Sequence, residues 1–120
     1  MATLNELRDE ALLIAVEHGF TDASVPEDLA LMHSELSEAL EDHRRGMKPD
    51  EVWYEDRVGN RSAVKCEGSP LKPVGIPSEM ADVIIRVLHF AGKHSIDIEA
   101  AVLEKMEFNR SRPFKHGKVL

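Results

Sequence analysis

The sequence predicts an all-α fold: a four-helix bundle, oligomeric, with a long loop between its second and third helices, forming one domain over residues 1–120. Three observations predict it. Aromatic residues make up only 5% of the chain while Ala, Leu, Val, Ile and Met are plentiful, a balance that favours helices over sheets. Capping signals stand directly before apolar residues at helical spacing. Four of the six prolines, Pro49, Pro70, Pro73 and Pro77, fall in or at the edge of one segment, 47–76, together with Gly59, Gly68 and Gly75.

The first helix is expected over about residues 4–18. Thr3-Leu4-Asn5-Glu6 has the capping-box pattern. Leu7, Ala11, Ile14 and Ala15 recur on one face, and His18-Gly19 supplies a stop. Ser24-Val25-Pro26-Glu27 is a second capping box, with its proline in the first turn, where a missing N–H costs little. The apolar stripe Leu29, Met32, Leu36, Ala39 and Leu40 follows, and Arg44-Arg45-Gly46 ends the helix with cations at its negative end.

Residues 47–76 lack helical periodicity. A connection of this length is often a functional loop or lid, the alternative being a mobile insertion. Its aromatic island Val52-Trp53-Tyr54 leaves room for a short hairpin. A third helix is expected over about 78–94, and its apolar positions cover more than half of the circumference. A helix that apolar in so small a domain implies a subunit interface. After a turn at His94-Ser95-Ile96-Asp97, with Ser95 or Asp97 as N-cap, a fourth helix is expected over about 98–110, stopped by Pro113.

Charge narrows the function. At net −7 and a pI of about 5.3, general nucleic-acid binding is disfavoured, because most of the surface would repel a phosphate backbone. An acidic balance suits a protein that gathers divalent cations, and equally suits plain solubility. The single cysteine, Cys66, permits no intrachain disulfide, and no run approaches the ~18 apolar residues of a membrane span. The expected location is cytoplasmic, with no membrane partner.

Two carboxylate pairs carry chemistry. Glu35 and Glu38 are three residues apart on the second helix, and Glu79 and Asp82 are three apart on the third. Each pair lies on one face and borders the apolar stripe of its helix, where the two helices would meet. Glu79 and Asp82 share the only polar strip of the third helix with Arg86, His89 and Lys93, and Asp82–Arg86 has the spacing of an ion pair. Four acids converging there would repel strongly unless a cation joined them. Carboxylate oxygens suit Mg²⁺, with Mn²⁺ as a substitute, and the spacing does not suit a structural zinc site. The competing reading is a pair of solvated acidic faces.

Lys105, Asn109 and Arg112 fall within a narrow arc of the fourth helix and its extension, in a locally basic run through Lys118. Arg offers paired donors to phosphate and Lys a point charge. A basic tail that only favours a helix C-terminus is the alternative.

Together these residues resemble a known family. An E-x-x-E helix with His33-Ser34-Glu35-Leu36-Ser37-Glu38-Ala39, a loop, an E-x-x-D helix, and a last helix ending K-x-x-x-N-x-x-R-P-x-x-H-G (Lys105 to Gly117) look like the MazG-like, all-α nucleoside triphosphate pyrophosphohydrolases. The resemblance spans nearly the whole chain. It implies that Glu35, Glu38, Glu79 and Asp82 hold Mg²⁺, which binds a triphosphate. It implies that water attacks the α-phosphorus to yield a nucleoside monophosphate and pyrophosphate, and that Lys105, Asn109 and Arg112 contact substrate. It also implies a homodimer or homotetramer. The connection between the acidic helices is longer here than in compact members, so base recognition stays open, with stacking on Trp53 or Tyr54 set against a core or interface role for Trp53. Glu35 is the first candidate for the catalytic base, with Glu38 as the close alternative. Related hydrolases of dUTP or dCTP, or of a phosphoribosyl nucleotide, share the same features. A reading of another class is a non-catalytic helical dimer that binds a partner protein.

Overall fold

The computed structural model describes residues 1–64 and 71–114. Cys66, Gly68 and Pro70 of the connection, and Lys115, His116, Gly117 and Lys118 of the basic run, lie outside the described residues. Four helices appear in the expected order: α1 (Leu4–Glu17), α2 (Val25–Arg44), α3 (Ile76–Lys93) and α4 (Ile98–Ser111). The fold is mostly helical rather than all-α, because the connection between α2 and α3 holds a small antiparallel sheet: β1 (Trp53–Glu55), β2 (Arg61–Ser62) and β3 (Lys72–Val74), in the order β2-β1-β3.

Local chemistry sets the helix limits. Thr3 Oγ1 accepts from the Glu6 N–H at 3.1 Å while the Glu6 carboxylate accepts from the Thr3 N–H at 3.2 Å, and Ser24 and Glu27 repeat the exchange at the start of α2. Asp97 is the N-cap of α4, accepting from Ala100 N–H at 3.0 Å, while Ser95 takes a positive φ of 54° in the turn before it. α3 starts two residues before the expected point, with Pro77 in its first turn.

The described chain divides into two compact units, 22–87 and the pair of segments 1–21 and 88–120. In the latter, Asn5 ties α1 to the α3–α4 turn: its amide donates to Asp97 Oδ1 at 2.9 Å and its Oδ1 accepts from Glu99 N–H at 3.2 Å. Arg8 donates to the Ile96 carbonyl at 2.8 Å, and Gly92 lets Leu12 approach where a Cβ would stand 2.9 Å from it. Ala15, Leu88 and Ala91 are buried there.

The unit 22–87 contains α2, the sheet and the first part of α3. Tyr54 pairs with Ser62 and Pro73, and Glu55 with Arg61 and Lys72. An Asp56 side chain accepting from the N–H groups of Val58 and Asn60 closes the β1–β2 turn. Gly75, with φ 112°, joins β3 to α3, and a Cβ there would lie 2.5 Å from the Glu51 carbonyl oxygen, so only glycine fits.

The buried face of α2 differs from the expected one. Asp28, Glu35, Ala39 and Asp42 are buried, whereas Leu29, Leu36 and Leu40 are 46%, 47% and 50% exposed. Asp28, Glu35 and Asp42 repeat every seven residues and so share one line of the helix, with the leucine line roughly 100° around it. Polar inward residues prevail here because α2 faces a charged site rather than an apolar core. On α3, Ile84 and Ile85 are likewise exposed on the single chain.

Candidate metal and phosphate site

The site is assembled within the unit 22–87. α2 presents Glu35 and Glu38 one turn apart, and α3 presents Glu79 and Asp82 one turn apart. Each of Glu35, Glu79 and Asp82 offers a carboxylate oxygen, and these oxygens all lie within 4.8 Å of one another. Glu35 and Glu79 are buried. Glu38 is more exposed and is joined to the group by a hydrogen bond to Glu79. All four carboxylates singled out in the sequence therefore meet, three as a tight cluster and the fourth at its solvent side.

The backbone fixes this arrangement. The Glu79 N–H donates to the Gly75 carbonyl at 3.0 Å in the first turn of α3, so the glycine, at a φ that other residues rarely adopt, sets where the acidic helix begins. Arg86, one turn beyond Asp82, reaches to α2 and donates through Nε to Glu35 Oε1 at 2.7 Å. The i, i+4 spacing suggested an Asp82–Arg86 pair. Instead the short contact of Arg86 Nε is with Glu35, and its charge also steadies ionised Asp82.

The electrostatics show how unfavourable the bare cluster is. Burial pushes the Glu79 carboxyl up to about 8, reinforced by the hydrogen bond that protonated Glu79 donates to the Glu38 carboxylate and by repulsion from Glu38, Asp82 and Glu35. Loss of solvent and the Glu35 charge also raise Asp82, with Arg86 and Lys72 pulling the other way. The Glu79 Oε2 atom is buried and has no hydrogen-bond partner among the described residues. A buried acceptor without a donor is costly, and a cation or a proton removes that cost. An all-oxygen donor set of this kind fits a hard cation such as Mg²⁺ or Mn²⁺.

Beside the cluster lies an open cleft of about 210 Å³. Glu38, Asp42 and Glu79 line it from the helices, and Arg61, Lys72 and Val74 from the sheet. The sequence reading missed Asp42, which is buried with an Oδ2 that has no hydrogen-bond partner among the described residues. Its position seven residues after Glu35 was the available signal. Arg61 and Lys72 carried no signal, since nothing in their spacing indicates that they flank one residue of a third strand.

The remaining candidates are not part of the carboxylate cluster. Trp53 is half-buried on β1, and its indole N–H is taken by Glu51 Oε2 at 3.0 Å, which lowers the Glu51 pKa. Lys105, Asn109 and Arg112 belong to the other unit, on α4 and at its C-cap. Lys105 Nζ stands 5.0 Å and Arg112 Cζ 5.6 Å from the centre of the Phe108 ring, so both cations gather about one aromatic side chain. No described helix is long and apolar enough to cross a membrane. Compared with protein-family models, curated proteins and solved structures, the chain matches none.

Proposed function

We propose that the chain is a Mg²⁺-dependent nucleotide pyrophosphohydrolase, cleaving a nucleoside triphosphate or deoxynucleoside triphosphate to the monophosphate and pyrophosphate. The observation that carries this reading is the convergence of Glu35, Glu79 and Asp82 oxygens within 4.8 Å, with a buried Glu79 oxygen that has no hydrogen-bond partner among the described residues. The resemblance to MazG-like enzymes supports the choice of reaction and substrate.

Glu35, Glu38, Glu79 and Asp82 are the proposed ligands, with Mn²⁺ as a working substitute. A bound Mg²⁺ supplies charge neutralisation to the triphosphate and makes water more acidic. Of the two candidate bases, Glu38 is the better placed to accept the proton of the attacking water, because it faces solvent while Glu35 Oε1 is held by Arg86. Glu35 then acts chiefly as a ligand whose orientation Arg86 maintains. Substrate contacts at Lys105, Asn109, Arg112 and Trp53 rest on the resemblance and on residue type. The proposed assembly is a homodimer or homotetramer, supported by the exposed leucine line of α2 and by Ile84 and Ile85 of α3.

The test is pyrophosphate release from a panel of NTPs and dNTPs with Mg²⁺, comparing the natural protein with Glu38→Gln and Asp82→Asn. Release by the natural protein and its loss in both variants is the expected result, and the panel, extended by a phosphoribosyl nucleotide, separates general, dUTP/dCTP and phosphoribosyl substrates. Folded protein that neither binds Mg²⁺ nor releases pyrophosphate would favour the partner-binding helical dimer instead.

A further inference from the structure

The sheet brings three charged residues into one row. Glu55 on β1 is paired in register with Arg61 on β2 and with Lys72 on β3. Directly opposed residues of antiparallel strands point to the same face. Arg61 Nε donates to Glu55 Oε2 at 2.8 Å, which holds the guanidinium against the carboxylate at the centre of the row. Val74, two residues beyond Lys72, is buried on that same face and anchors the strand, and Gly75 fixes its passage into α3.

This row borders the cleft whose opposite side carries Glu38, Asp42 and Glu79, and the Lys72 charge is felt at Asp82. The cleft is therefore bipolar: Glu38, Glu41, Asp42 and Glu79 line it from the helices and Arg61 and Lys72 from the sheet, with Arg45 at the end of α2 and Glu55 of β1 each adding the opposite charge to its side. Neither half alone suits a polyphosphate: the acids repel it, and the cations are partly neutralised by Glu55. With a divalent cation held by the acids, the same cleft offers one positive region continuous from the metal to Lys72 and Arg61. Anionic oxygens bound to a metal and to flanking Lys and Arg donors are the usual arrangement for phosphate recognition.

We propose that Lys72 and Arg61, set on either side of Glu55, grip the phosphate chain of a nucleotide or of pyrophosphate whose metal the facing carboxylates hold. This rests on the metal-dependent reading above and adds to it the residues that bind the phosphates. In that arrangement Glu55 is a positioning residue. It orients Arg61 and restrains phosphate affinity, which favours release of a doubly or triply charged product.

The experiment is calorimetric titration of inorganic pyrophosphate into the full chain preloaded with Mg²⁺, after Mg²⁺ binding alone has been measured. Lys72→Gln and Arg61→Gln should each weaken pyrophosphate binding tenfold or more, with Mg²⁺ affinity within threefold of the natural protein. Lys72→Arg should retain binding. Glu55→Gln should tighten it severalfold, an effect in the opposite direction that loss of structure would not produce. If Lys72→Gln and Arg61→Gln fold, hold Mg²⁺ and bind pyrophosphate as the natural protein does, the phosphate grip is refuted while the metal site stands. If the natural protein binds Mg²⁺ but no pyrophosphate, the grip is likewise refuted. Failure of the natural protein to bind Mg²⁺ would instead overturn the metal-dependent reading and, with it, the grip.

Discussion

Arg86 of α3 donates through Nε to Glu35 Oε1 of α2 at 2.7 Å, linking the two acidic helices through a carboxylate of the cluster. Without metal, Arg86 is what makes the burial of Glu35 tolerable, since a buried carboxylate that loses its donor costs about 1–3 kcal/mol. Arg86→Ala is therefore expected to lower the metal-free melting temperature, and Mg²⁺ is expected to recover most of the loss. Thermal melts with and without Mg²⁺ check this. An unchanged metal-free melt would mean that Glu35 does not depend on Arg86.

Glu79 makes stability depend on pH. Its folded pKa of about 8 lies above the ordinary 4.5, so the folded state binds the proton more tightly than the unfolded chain. The sign follows: the Glu79 contribution to metal-free stability is fully present below about 4.5, falls as pH rises between 4.5 and 8, and is lost above 8. Glu79→Gln, which carries no charge at any pH, should flatten that fall. Saturating Mg²⁺ should oppose it, because ligation requires the deprotonated carboxylate. Urea melts at pH 5, 6.5 and 8 measure the slope, and equal slopes for the natural protein and Glu79→Gln would refute the assignment.

Gly75 couples the sheet to the cluster. A methyl group at this position would meet the Glu51 carbonyl oxygen at 2.5 Å on a backbone with φ 112°. Gly75→Ala should cost about 1–3 kcal/mol through strain and shift the first turn of α3, where Glu79 binds back to the Gly75 carbonyl. Mg²⁺ affinity should fall with it, read by titration at a temperature where the variant remains folded. Retained affinity would show that the turn adjusts without moving Glu79.

The exposed leucines of α2 bear on assembly. Leu36 and Leu40, each about half exposed, lie on the same side of the helix, away from the buried line of Asp28, Glu35 and Asp42. If that side is covered by a second copy, Leu36→Glu should halve the mass measured by light scattering or shift it toward monomer. A mass unchanged by Leu36→Glu and equally by Ile84→Glu would remove both surfaces from the interface.

Much of the molecule was legible in the sequence because its causes are local. Thr3 with Glu6 and Ser24 with Glu27 satisfy one another within a single turn, so the starts of α1 and α2 needed no distant partner. The three-residue spacing of Glu35 with Glu38 and of Glu79 with Asp82 places each pair on one helical face whatever surrounds it. That is why the four carboxylates could be singled out before their convergence was seen.

What depended on the assembled fold joins residues far apart in the chain. Arg86 could have paired within its own helix, and its short contact to Glu35, 51 positions away, follows from how α2 and α3 come together. The row Arg61–Glu55–Lys72 exists through strand register, which hydrogen bonds between segments set and spacing along the chain does not reveal. The inward face of α2 was decided the same way. Apolar periodicity favoured the leucines, but a helix beside a charged site turns its acids inward, and the leucines remain for another surface. Local capping and helical repeat fixed which residues become helices and which acids travel together; packing between distant segments decided which charges meet.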